Sequence, residues 1–127
     1  MAVEEMTAQS FEETITENGI VIIDFWAPWC GPCRTFSPIF DKVSDNHTDI
    51  VFAKVNTEEE EELARHFQIR SIPTLMIFRE QVILFAEAGM LSEPQLEQVI
   101  AKVRELDMDK VRADIAAQEK AAQEQQA

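Results

Sequence analysis

The chain has 127 residues, 46% of them apolar, which is enough for one globular domain with a real hydrophobic core and too apolar for a disordered segment. Twenty-four acidic residues against 11 basic ones give a formal net charge of -13, which excludes a basic nucleic-acid footprint and sets the chain against an anionic membrane surface. No apolar run approaches the ~20 residues of a membrane-spanning helix, and residues 1–18 carry no base and no signal-like apolar stretch, so a cytoplasmic location is expected.

In chain order, residues 3–6 suit a short opening strand. Thr7 then has the chemistry of a helix N-cap, with Met6 and Phe11 placed as a hydrophobic staple. Phe11 and Ile15 share one helix face, and Asn18-Gly19 ends that helix. Residues 20–27 are almost continuously apolar, as expected of a central strand buried on both faces. A helix over residues 34–47 follows, burying Phe36, Ile39, Phe40 and Val43, with Pro38 inside it. Residues 50–56 form another strand. Thr57 with Glu60 matches a capping box for a short helix carrying Leu63, Ala64 and Phe67, and the acidic run 58–62 suits that helix's positive end. Strands over 74–78 and 82–86 lie three residues apart and predict an antiparallel hairpin. Ser92 with Gln95 caps a last helix that carries Leu96, Val99, Ile100 and Val103. This order predicts an α/β chain with a mixed sheet and helices on both faces. After Leu106 the composition turns to Ala, Gln and charge. Met108, Val111 and Ile115 support a marginal helix to about Ala117, with the remainder frayed, so residues 1–106 are read as the domain and 107–127 as an extension.

The chemistry sits at Cys30-Gly31-Pro32-Cys33, the only cysteines. Two thiols spaced by two residues at a strand-to-helix junction can close a disulfide almost without backbone movement. Cys30 precedes the helix, where N–H groups and the dipole favour a thiolate, so it is the candidate nucleophile. A zinc site needs about four ligands, and beyond the cysteines only His47 and His66 are available, inside other patterns, so no metal is expected. Asp24 interrupts an apolar strand, and burial would raise its pKa.

Trp29-Cys30-Gly31-Pro32-Cys33 after residues 21–27, Arg70-Ser71-Ile72-Pro73-Thr74 before a strand, and Gly89 followed by Leu91-Ser92 together resemble the thioredoxin family over residues 3–106. The resemblance implies a three-layer α/β/α thioredoxin fold, a five-stranded sheet in the order 1-3-2-4-5 flanked by four helices, with the residues after 106 as a helical tail. It implies a general protein-disulfide reductase with no bound cofactor beyond a redox-active Cys30–Cys33 disulfide. Its partners would be disulfide-containing client proteins and a flavin- and NADPH-dependent reductase that recharges it, and the chain would act as a monomer. Cys33 would resolve the mixed disulfide, and Asp24 beneath it would help deprotonate it through water, with Lys54 modifying Asp24. Pro73 would be a cis-proline opposite the disulfide, presenting the Ile72 backbone to an extended client. Trp29, Gly31, Pro32, Ile72, Ala88, Gly89 and Met90 would form an apolar patch around Cys30, Trp26 would be either a core aromatic or a shield for the site, and Gly89 would serve close backbone approach. Pro32 offers no charge to the thiolate, which points to a reducing pair. The turn Arg79-Glu80-Gln81 lacks the family's usual Asn-Gly, leaving its type open. Two other functions compete: a binding module that uses the patch and the tail, and a dedicated donor to one reductase or peroxidase.

Overall fold

The computed structural model describes residues 2–126. Its centre is β2 (Ile20–Trp26), five of whose seven residues are buried, because β-branched and aromatic side chains alternate to both faces. To one side β2 pairs in parallel with β3 (Val51–Asn56), which pairs in parallel with β1 (Val3–Glu5). To the other side it pairs antiparallel with β4 (Thr74–Arg79), which forms a hairpin with β5 (Val82–Ala88). The strand order is β1-β3-β2-β4-β5, as the family resemblance implies.

The period-2 alternation of β2 assigns the helices to the two faces. Ile22, with Leu75, Ile77 and Phe52, joins Phe36, Phe40 and Val43 of α2 (Gly31–Asp45) and Leu96, Ile100 and Val103 of α4 (Glu93–Glu105). Val21, Ile23 and Phe25 point the other way. They pack with Ile15 and Phe11 of α1 (Ala8–Glu17), with Leu63 of α3 (Glu61–His66), and with Phe67 just beyond it. Each fully buried Phe of these two cores contributes about 1.5–3 kcal/mol. Asp24 has the parity of Ile22, so β2 directs its carboxyl towards α2.

Local signals place most boundaries. Thr7 caps α1, and Ser92 caps α4 in a capping box with Gln95. Four details depart from the sequence expectations. First, α2 begins at Gly31 and ends at Asp45, rather than spanning 34–47, because Pro32 is compatible with the first turn and Cys30 itself is the N-cap; the helix runs unbroken through Pro38. Second, Thr57 does not cap α3. Its N–H and its hydroxyl both donate to the Trp26 carbonyl, at 2.9 and 3.0 Å, and Glu60 instead accepts from the Ala8 N–H at 2.8 Å, at the start of α1. Third, α5 (Met108–Gln126) stays helical well beyond Ala117. Asp107 Oδ1 accepts from the N–H groups of Asp109 and Lys110, and the Ala-, Gln- and Glu-rich sequence has high helix propensity.

The fourth departure is the β4–β5 turn. Only Glu80 and Gln81 connect the strands, with φ of 51° and 70°, so two non-glycine residues occupy the left-handed region of a tight hairpin. The surroundings hold them there: the Glu80 N–H donates to Gly19 O at 2.8 Å, and the Glu80 carboxylate pairs with Arg112 of α5 at 2.6 Å. Left-handed backbone costs an L-residue roughly 1–2 kcal/mol, so Gln81→Gly is expected to stabilise the fold by about 0.5–1 kcal/mol after the glycine's unfolded-state entropy is counted. A urea midpoint that moves up at constant slope would show it; a lower midpoint would mean that the turn is unstrained.

Candidate active site

The end of β2 and the start of α2 deliver the cysteines. Cys30 and Cys33 form a disulfide, with Cα atoms 5.3 Å apart. Cys30 Sγ accepts the Cys33 N–H at 3.2 Å and so caps α2 with its own sulfur. That N–H, with the positive end of the helix behind it, would hold a thiolate after reduction and lower the pKa of Cys30 below the free value of about 8.5. Both residues are buried in the oxidised state, at 4% and 2% exposure, so a client reaches them over the surrounding rim.

That rim assembles from distant segments. The Ile72–Pro73 peptide bond is cis, and Cys30 Sγ lies 3.7 Å from the Ile72 carbonyl oxygen. Thr74 pairs with Ala88, and the Gly89 N–H donates to Pro73 O at 2.8 Å, which ties the late glycine segment to the cis-proline loop. Pro73 is buried and Ile72 half-buried, whereas Gly31, Pro32, Ala88 and Gly89 are exposed. Trp29 and Met90 are large apolar side chains left open at 66% and 40%. Gly89 has φ of 103°, and a Cβ built on it would meet nothing within 4 Å. Its reason is therefore backbone conformation, not the close approach expected from the sequence.

Beneath the disulfide, Asp24, Trp26, Cys33, Arg34, Ser37 and Lys54 line a cavity of about 90 Å³. Asp24 is 3% exposed, and its Oδ1 has no hydrogen-bond partner among the described residues. Burial pushes its pKa up from 3.8 to about 7, against the opposing pull of Lys54 and with a smaller push from Asp41. Lys54 stands directly across from Asp24 on β3, and its Nζ lies 5.2 Å from the centre of the Trp26 ring. Trp26 packs against the cysteines and lines the cavity.

Three contributors were missed by sequence reasoning. Glu58, taken as part of a solvated helix end, accepts the indole N–H of Trp29. Arg34 and Ser37 line the cavity. Only Ser37 carried a signal, since it stands one helical turn beyond Cys33. Among the described residues no group of three or more His, Cys, Asp or Glu converges as a metal site, and no helix is long and apolar enough to cross a membrane.

A dithiol pair whose first sulfur caps a helix, facing a cis-proline and standing over a buried acid, defines a thiol–disulfide oxidoreductase. The relatives agree. The thioredoxin family model matches residues 2–102. A Streptomyces coelicolor protein provisionally named thioredoxin 2 is 52% identical over 115 residues, covering 91% of this chain and 86% of the relative. The thioredoxin of Porphyra purpurea is 38% identical over 104 residues, covering 80% and 97%. The solved structure of Plasmodium falciparum thioredoxin matches with a TM-score of 0.73 at 32% identity, covering 78% of this chain and 97% of that one. The chain belongs to the thioredoxin family, and thiol–disulfide exchange is its chemistry.

Proposed function

We propose that this chain is a general, cytoplasmic protein-disulfide reductase, recharged by a flavin- and NADPH-dependent thioredoxin reductase. The observation that carries the reading is the cap: Cys30 Sγ accepts the Cys33 N–H in the first turn of α2, in a rim that exposes Trp29 and Met90 to a partner. The Cys30 thiolate attacks a client disulfide, forming a mixed disulfide and releasing one client thiolate. The client backbone lies along Ile72–Pro73 between Trp29 and the segment Ala88, Gly89 and Met90. Cys33, deprotonated towards Asp24 through water in the cavity, then attacks Cys30 Sγ and releases the second client sulfur. A cavity of about 90 Å³ that Asp24, Ser37 and Lys54 line with polar groups has room for that water. Gly31 and Pro32 set the spacing of the thiols, and Lys54 moderates Asp24. Residues 1–106 are the working domain and 107–127 an appended extension, helical over Met108–Gln126, in keeping with the composition change after Leu106 and the family match ending at 102.

The test is NADPH-driven insulin reduction with a bacterial flavin thioredoxin reductase. NADPH consumption that requires this chain and saturates with it supports the reading. Insulin reduction by dithiothreitol with no NADPH-driven turnover would remove the recharging partner from it.

A further inference from the structure

Two polar residues of the cavity, Arg34 and Ser37, have no part in the steps above. Ser37 stands four positions after Cys33 on α2, which sets the two side chains on one helix face with Cβ atoms about 5–6 Å apart. It is half-buried. Two other hydroxyls of α2 are turned back onto the helix: Thr35 Oγ1 donates to Gly31 O at 3.3 Å and Ser44 Oγ to Asp41 O at 2.6 Å. No such bond occupies Ser37 Oγ among the described residues, and in the same cavity Asp24 Oδ1 and Trp26 Nε1 are buried without a partner.

The polar groups lining this space differ in what they can do with a proton. Charged Lys54 and Arg34 only donate, and Arg34 Nη1 already donates to Pro28 O at 3.1 Å. The Trp26 indole N–H only donates. A hydroxyl both accepts and donates, and Ser37 supplies the one hydroxyl side chain in the lining. We infer that Ser37 is the proton relay of the resolving step, its hydroxyl taking the Cys33 thiol proton while passing its own to the Asp24 carboxylate. The inference rests on the reading of Asp24 as the base.

The S–H bond of Cys33 breaks and its proton goes to Ser37 Oγ, the former Ser37 proton goes to Asp24, and the serine hydroxyl is regenerated. The Cys33 thiolate then bonds to Cys30 Sγ, the bond from Cys30 to the client breaks, and the electron pair leaves on the client sulfur, which takes a proton from solvent. The protein dithiol is oxidised by two electrons and the client disulfide is reduced by two. A water between any two of these groups lengthens the chain of transfers without changing the balance. The charged groups that bear on the relay are Asp24 from β2, Lys54 from β3, and Arg34 and Asp41 from α2.

The test is the lifetime of the mixed disulfide, measured by mixing the reduced full-length protein with insulin and trapping with acid over time. Ser37→Ala is expected to lengthen that lifetime about tenfold at pH 7, less than the 10²–10⁴ of a whole acid–base group because water partly replaces the hydroxyl. The initial attack by Cys30 should be unchanged. Ser37→Thr, which keeps a hydroxyl, should restore most of the rate, and in an Asp24→Asn background Ser37→Ala should add little further. A wild-type lifetime for Ser37→Ala beside a slow Asp24→Asn would overturn the relay and leave Asp24 as the base. Wild-type lifetimes for both would overturn the relay and the base together. Equal slowing by the alanine and threonine variants would assign Ser37 to packing and overturn the relay.

Discussion

Cys30→Ser is expected to lower insulin reduction by about 10³-fold or more, to the uncatalysed background. A thiol is ionised to a few per cent at neutral pH even when free, and here the Cys33 N–H and the helix end raise that fraction. A serine hydroxyl in the same place could accept the same N–H, so the helix cap and the fold should survive while the nucleophile is lost. Cys33→Ser makes the complementary case. It keeps the attacking sulfur and its rim, so it should form the mixed disulfide and stall there. Residual turnover by Cys30→Ser within tenfold of the native rate would mean that Cys33 can start the reaction, and the assignment of roles would be reversed.

The second large effect concerns Asp24→Asn, with opposite signs for stability and rate. The carboxyl has a pKa of about 7 folded against an ordinary value of 3.8, so between those pH values the folded state holds a proton that the unfolded state has lost. Stability linked to this group is therefore fully present below about pH 4 and is lost as pH rises through about 7. A three-unit difference corresponds to roughly 4 kcal/mol. Asn is neutral at every pH and close to isosteric, so the variant should match the native protein near pH 4. At pH 8 it should be more stable by a few kcal/mol, with a melting temperature roughly 10 °C higher. The same change removes the base for Cys33 and should prolong the mixed disulfide. Equal melting temperatures at pH 8 would show that Asp24 is solvated, and the buried-base account would fail with it.

Much of this was legible because local chemistry and tertiary packing agree. The apolar run containing Val21, Ile23 and Phe25 can only be a central strand, and the two caps Thr7 and Ser92 fix their helices with their own hydroxyls. The cysteine pair points to its reaction by its spacing at a strand-to-helix junction, and the Ile72-Pro73 and Gly89 segments complete the family resemblance. What the sequence concealed depends on contacts between distant segments. Thr57 has the pattern of a capping box, but the Trp26 carbonyl, 31 positions away, engages its hydroxyl. Glu80 and Gln81 carry no turn signature; Gly19 and Arg112 hold them in place. Glu58 belongs to the rim through Trp29, which no periodicity encodes. Asp24 could be suspected from its apolar neighbours, but its cavity exists only because β2, β3 and α2 converge there.

The central claim is that a helix cap with no charged residue between the two cysteines leaves the Cys30–Cys33 pair a reductant. The most direct test is its midpoint potential, by equilibration against a dithiol buffer of known poise. The account predicts a value close to about −270 mV, the figure established for thioredoxin itself and not one derived from this geometry. A value of about −180 mV or above, where isomerases and oxidants lie, would contradict it.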